Sequence, residues 1–328
     1  MNPPSPRSVT KIFLRTLGAG VLSVAAAVSA AAQSVSAAGT TPAMTVAEIF
    51  AGETEDVGPQ FLLQAKPAVR RFEVWTDCEY LGTNNVLLAP THPTKSTLLS
   101  AQAGLIWRAK EIAWRGGKWR WDIGTRAQIY RYGFLDNANL PVNFIELSRN
   151  NFDLGAVRTS LTWQRGNWLA AGGLGETALR SRSMGRQFYR ETVADWQVFR
   201  QWTLRPNTVL AAGLDGAQRW TRTDSFGLLP DSWNDRAELS LVATLERRLG
   251  AQWRLQPSLR LQATHYTHAD RSRNDRHIFA RVSLTRVLGE HAEARLSFGH
   301  EQRESSDVTV NDYKKWDLGL GGTVRWQF

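Results

Sequence analysis

The stretch DRAELSLVATLER, residues 235–247, alternates between apolar and polar residues, with Val242 the exception. Ala237, Leu239, Leu241, Ala243 and Leu245 alternate with Arg236, Glu238, Ser240, Thr244 and Glu246. Successive side chains of a β-strand point to opposite faces, so a period of two gives this segment one apolar face and one charged face. The next segment repeats the pattern, with Trp253, Leu255, Leu259, Leu261 and Ala263 set against Arg254, Gln256, Ser258, Arg260 and Gln262. Earlier, Trp119, Trp121, Ile123, Thr125, Ala127 and Ile129 alternate with Arg120, Asp122, Gly124, Arg126 and Gln128. Later, Ile278, Ala280, Val282 and Leu284 alternate with His277, Arg281 and Ser283.

The connections between such segments fall into two classes that take turns. Tight ones sit near Arg115 to Lys118, Gln164 to Asn167, Arg205 to Asn207, Arg248 to Ala251 and Leu288 to His291, each with the Gly, Pro or Asn that hairpin turns require. Longer polar ones lie near residues 83–95, 134–150, 181–190, 221–234, 268–275 and 304–312. Alternating short and long connections predict about twelve strands in an antiparallel transmembrane β-barrel, with both chain ends on the short-turn side, as bacterial outer-membrane barrels are built.

Alternation does not say which face is buried, because a soluble sandwich would turn its apolar face inward. Tryptophan placement arbitrates. Trp114, Trp119, Trp163, Trp168, Trp202 and Trp253 all lie within a few residues of the tight turns. An indole is apolar in body and polar at its N–H, so such a ring describes an aromatic girdle at a membrane interface. The chain closes with Trp316, Leu318, Leu320, Gly322, Val324, Trp326 and Phe328 on one face and Asp317, Gly319, Gly321, Thr323, Arg325 and Gln327 on the other. Trp326 is also assigned to the girdle, and a closing strand that ends on Trp326 and Phe328 resembles the signal that outer-membrane barrels present to their assembly machinery. Closure leaves no unpaired sheet edge in hydrocarbon, where each unsatisfied backbone group costs several kcal/mol.

Two positions break the pattern. Arg200 falls on the lipid side of its strand between Trp196 and Trp202, and the strand from Phe152 to Trp163 changes phase near Ala156; a bulge or a snorkelling side chain would explain either.

The first 32 residues carry Arg7, Lys11 and Arg15, then a small apolar run from Leu17 to Val28, then Ala30 to Ala32 before Gln33. That order predicts a cleaved secretory signal over 1–32, since the run is shorter than the roughly 20 residues a spanning helix needs. Residues 33–71 lack a sustained period and read as a periplasmic linker or plug segment, leaving 72–328 for the barrel. The chain has 40 Lys and Arg against 30 Asp and Glu, and the charge is interspersed rather than gathered into a basic stripe. No nucleic-acid partner is expected of such an exported chain. The single cysteine, Cys78, cannot form an internal disulfide and alternates onto an apolar face, where it is a small hydrophobe.

The block Glu48, Ile49, Phe50, with Glu55 to Gln60, then Asp77, Tyr80, Thr83, Asn84 and Asn85, resembles the opening of a family of bacterial outer-membrane β-barrel proteins without an assigned activity. Asn311, Asp312 and Tyr313 with the closing strand are similar to the ends of those and other porin-like barrels. The resemblance implies location and architecture, and carries no catalytic residues.

Barrel enzymes bring a nucleophile, base and acid together at the wall or mouth. Here His265, His268 and His277 flank one outer loop with Asp270, Ser272 and Asp275, but no nucleophile motif accompanies them. No catalytic set, metal site or cofactor is expected. The inward face is the better candidate. Arg120, Asp122, Arg126, Glu238, Arg254, Arg260, Arg281, Arg295 and Arg325 are predicted to line the lumen, with Arg108 and Lys110 and with Glu73, Asp77, Glu79, Glu246, Glu293 and Asp317. Near balance of charge implies cross-strand ion pairs that stiffen the barrel, with a path for small solutes as the alternative. The expected function is passive passage of small polar solutes across the outer membrane of a Gram-negative bacterium. A closed structural or adhesive barrel stands second, and a lipid hydrolase third. Outer-membrane lipid and the assembly machinery are the expected partners, and the oligomeric state is left open.

Overall fold

The computed structural model describes residues 71–86, 88, 95–133, 150–223, 231–267, 273–307, 310 and 312–328. The signal expected over 1–32 and the linker up to residue 70 lie outside these. The regular elements are all strands: β1 (Phe72–Thr83), β2 (Ser96–Arg108), β3 (Ile112–Trp114), β4 (Gly117–Tyr132), β5 (Phe152–Arg165), β6 (Trp168–Ser181), β7 (Gln187–Arg205), β8 (Thr208–Thr223), β9 (Arg236–Arg248), β10 (Trp253–Tyr266), β11 (Arg273–Val287), β12 (Ala292–Ser305) and β13 (Tyr313–Gln327). Each pairs antiparallel with its neighbour, and β1 pairs with both β2 and β13, so the sheet closes on itself. β3 continues β2 past a break at residues 109–111, where the Ala109 N–H donates to the Trp121 carbonyl at 2.8 Å. Thirteen segments therefore build a twelve-stranded wall, the expected number.

That break corrects one placement. Lys110 is exposed within it rather than inward, because strand parity ends where the ladder is interrupted. The following turn shows why the hairpin is tight. Arg115 and Gly116 have φ of 51° and 75°, and positive φ at both central residues matches the twist of the flanking strands. Two outer connections are shorter than expected: β6 and β7 are joined by residues 182–186 alone, and β11 already begins at Arg273.

The apolar face looks outward. At mid-height Leu214, Leu241, Leu261 and Ile278, on four consecutive strands, are 39–51 % exposed. Their neighbours Ser240 and Gln262 are buried on the inner side. A water-soluble sheet would hide these leucines, whereas a bilayer solvates them.

The expected phase change in β5 is not a bulge. Pairing with β4 and β6 runs unbroken along the whole strand. Phe152 and Leu154 instead point into the barrel at its loop end and join Tyr130, Leu179 and Tyr189 in a buried apolar cluster, with Tyr130 and Phe152 stacked at 4.5 Å. Inward residues are polar where water reaches them; here apolar rings pack on one another, so polarity no longer reports the face. Register shifts do occur in the wall, at Leu179/Arg180 and at Thr203/Arg205.

Gly213 is required by close backbone approach. A Cβ there would sit 2.0 Å from the Val198 carbonyl oxygen and 2.8 Å from the Phe199 Cα. Backbone must move to admit it, so Gly213→Ala is expected to destabilise the barrel by about 1–3 kcal/mol. Gly155→Ala, where a Cβ meets nothing within 4 Å, is expected to be close to neutral. Denaturant unfolding of both variants from lipid vesicles, followed by tryptophan fluorescence, checks the difference.

Candidate functional site: a charged lumen

Alternation along twelve strands projects a set of charged side chains inward, and the closure of the barrel brings distant ones together. The lumen holds a cavity of 1790 Å³, lined by charged groups such as Arg126, Arg260 and Glu238 together with apolar ones such as Ile106, Leu169 and Val193. At the turn end Glu73 receives Arg108 at 3.0 Å and Arg325 at 3.4 Å, Arg120 pairs with Asp122 at 3.0 Å, and Arg254 pairs with Glu293. At mid-height Arg295 reaches Asp77 at 3.1 Å, Arg281 pairs with Glu79 and donates to Ser297 at 2.8 Å, Arg260 pairs with Asp215, and Arg158 with Asp195. Arg126 lines the same cavity from β4.

Toward the loop end the lumen fills. Glu191 and Glu238 are bridged by Arg219 and again by Arg236, whose guanidinium lies 3.0 Å from Glu191 and 2.7 Å from Glu238. Arg236 is 0 % exposed. Beside this quartet Lys315 pairs with Glu301 at 2.9 Å and with Asp317 at 3.2 Å, Arg273 pairs with Asp275, and the Arg303 guanidinium lies over the Tyr313 ring at 4.8 Å. Charges out of water persist only when paired and hydrogen-bonded, and each of these carboxylates has a cation against it.

Of the inward residues expected from sequence, Arg120, Asp122, Arg254, Arg260, Arg281, Arg295 and Arg325 enter ion pairs around the cavity, and Glu238 belongs to the buried quartet. Arg236 is on the charged face read from residues 235–247, whereas the partners Arg158, Glu191, Asp195, Asp215 and Arg219 are not among the inward residues expected from sequence. Their signal was present: Asp215 and Arg219 flank the outward Leu214 and Trp220 with the correct parity, but the segment's glycines and glutamines blur the alternation.

The histidines do not converge. His277 points inward, 1 % exposed and stacked on Phe279 at 5.6 Å. His265 faces the opposite side of the wall, its Nδ1 2.8 Å from the Asn274 side-chain oxygen. His268, Asp270 and Ser272 lie outside the described residues.

On the outside at the turn end, Trp114, Trp168, Trp253 and Trp326 are exposed. Trp119 is half-buried between Trp114 at 5.9 Å and Trp163 at 6.4 Å. Arg200, the cation out of pattern, lies 5.4 Å over the rings of both Trp168 and Trp202. Its charge rests on indole faces at the level where headgroups begin, which explains a cation on that side. The last strand seals the barrel: the Phe328 N–H donates to the Phe72 carbonyl at 2.8 Å, and the Arg71 N–H returns to the Phe328 carbonyl at 2.7 Å.

Closed antiparallel wall, outward apolar surface and charged lumen together define a β-barrel of the outer-membrane type. No protein-family model matches the chain, and no curated protein matches it by sequence. Solved structures do. An outer membrane channel from Pseudomonas putida F1 is 12 % identical with a TM-score of 0.48, covering 83 % of this chain and 100 % of its own. KdgM porin in complex with disordered oligogalacturonate is 8 % identical with a TM-score of 0.39 over 76 % of this chain and 98 % of that one. The translocator domain of the autotransporter NalP from Neisseria meningitidis is 9 % identical with a TM-score of 0.41, over 78 % and 88 %.

Proposed function

We propose that this chain is a small porin-like channel of a Gram-negative outer membrane that lets small polar solutes pass, and that it is not an enzyme. The observation that carries the reading is the cavity of 1790 Å³ along the lumen, lined by ion pairs whose exposed sides offer water and solutes polar contacts. Paired walls of this kind favour neutral or zwitterionic solutes over strongly charged ones, because most fixed charge is already neutralised. Export through a cleaved signal, and insertion guided by the closing strand with Trp326 and Phe328, belong to the same proposal.

One observation favours a second reading, a closed structural or adhesive barrel: the loop-end tier of Arg236, Arg303, Asp275 and His277 is at most 1 % exposed. Planar-bilayer recording separates the two. The channel reading expects discrete but small conductance steps from folded protein, since that tier narrows the path. Silent bilayers with protein verified as folded would favour the closed barrel.

A further inference from the structure

Between the turn-end band that carries Arg200 and the loop end, the outward face of β6, β7 and β8 is largely apolar, and at the loop end these strands present arginines. Arg180, Arg190 and Arg222 are all exposed there, on three adjacent strands. Arg190 and Arg222 are directly opposite one another in the ladder, and Arg190 lies opposite Ala178, two residues from Arg180 on the same face. Like charges directly opposite on neighbouring strands repel. The single acid among the described outward residues of these strands is Glu176, which pairs with Arg190. Arg180 donates both Nε and Nη2 to the Gly185 carbonyl, which orients its guanidinium, and the carboxylate opposite it on β5, Asp153, is held by Arg131 at 2.6 Å. Below the arginines the surface turns greasy: Trp220, two residues from Arg222, is 47 % exposed, and further down Trp196 is 44 % and Leu174 59 % exposed.

We infer that this face binds a phosphorylated glycolipid of the outer leaflet, its phosphates held by Arg180, Arg190 and Arg222 and its acyl chains lying on Trp220, Trp196 and Leu174. Adjacent guanidinium groups that repel each other become mutually supporting when a dianionic phosphate sits between them, and forked N–H donors match phosphate oxygens. Arg222 with Trp220 just below it follows the order of headgroup and interface, and Leu174 and Trp196 lie deeper, at the level of the hydrocarbon. The inference rests on the placement of the barrel in a membrane and not on solute passage, so silent bilayers leave it standing.

Native mass spectrometry of the full chain in detergent, titrated with bisphosphorylated lipid A, tests it. Wild type is expected to retain the lipid. The variant Arg180→Gln/Arg190→Gln/Arg222→Gln is expected to bind at least about tenfold more weakly, having lost its charge-assisted contacts. Arg276→Gln/Lys314→Gln, which removes two exposed cations on β11 and β13, is expected to bind as wild type. Lipid A stripped of phosphate, and phosphatidylglycerol, are expected to bind more weakly than the intact lipid. Equal binding by wild type and the triple variant, or equal binding of the stripped lipid or phosphatidylglycerol, would overturn the assignment. A chain that proves soluble without detergent would instead remove the membrane placement beneath it.

Discussion

Arg236→Ala is expected to lower the unfolding free energy of the barrel by about 3–5 kcal/mol, the range for removing one partner of a buried ion pair. Arg236 is the hub of the loop-end tier. Besides Glu191 and Glu238 it donates to the Asn234 carbonyl at 3.1 Å and to the Tyr189 hydroxyl at 3.3 Å. Without it, two buried carboxylates share Arg219 alone, and the second charge has neither water nor a cation. The loss follows from the stranded charge rather than from the pair's own contribution. Arg236→Met/Glu238→Gln, which restores one acid to one base, is therefore expected to recover a large part of the stability. Glu176→Gln breaks an exposed pair, with Arg190 and Glu176 at 46 % and 39 % side-chain exposure, and is expected to cost the least of the three, because solvent screens both charges. Denaturant unfolding from vesicles ranks the three. A loss below about 1 kcal/mol for Arg236→Ala would mean that water reaches the tier and that the lumen is open there.

The wall was legible in the sequence because one rule, alternation, governs every strand and was strongest where both faces are fully specified, as in residues 235–247. It misled where a strand outruns the hydrocarbon. Phe152 and Leu154 broke the pattern because their ends of the lumen pack ring on ring, so an apolar residue there no longer means lipid. Lys110 was misplaced because a three-residue break resets parity without any Gly or Pro to announce it. The ion pairs were out of reach for a different reason. Glu79 and Arg281 are 202 positions apart and meet only because β1 pairs with β13. Sequence spacing carries inward direction but not height and angle around a closed wall, which decide partners. The basic outward patch was hidden by the same expectation that found the lumen: once charge is assigned to the interior, Arg190 and Arg222 read as defects.

Leu241→Arg is the second large expected effect, and it tests the orientation of every side chain at once. Leu241 sits at the middle of β9 with its side chain outward, 51 % exposed, flanked by Leu214 and Leu261. If water bathed that surface, an arginine there would change stability by no more than about 0.5 kcal/mol, as surface substitutions do. In a bilayer the same replacement is expected to cost about 2–4 kcal/mol, because the guanidinium must thin the membrane or stretch to reach headgroups. Position along the strand then supplies an internal scale. Ala237→Arg, on the same face two repeats of the pleat nearer the loops, is expected to cost about 0–1 kcal/mol because its charge reaches the interface. A soluble barrel predicts no such gradient, since water has the same polarity at both heights. Equal and small effects at 237 and 241, measured by unfolding from vesicles, would mean that the leucines do not face acyl chains, and with that the channel and the lipid site would both fall.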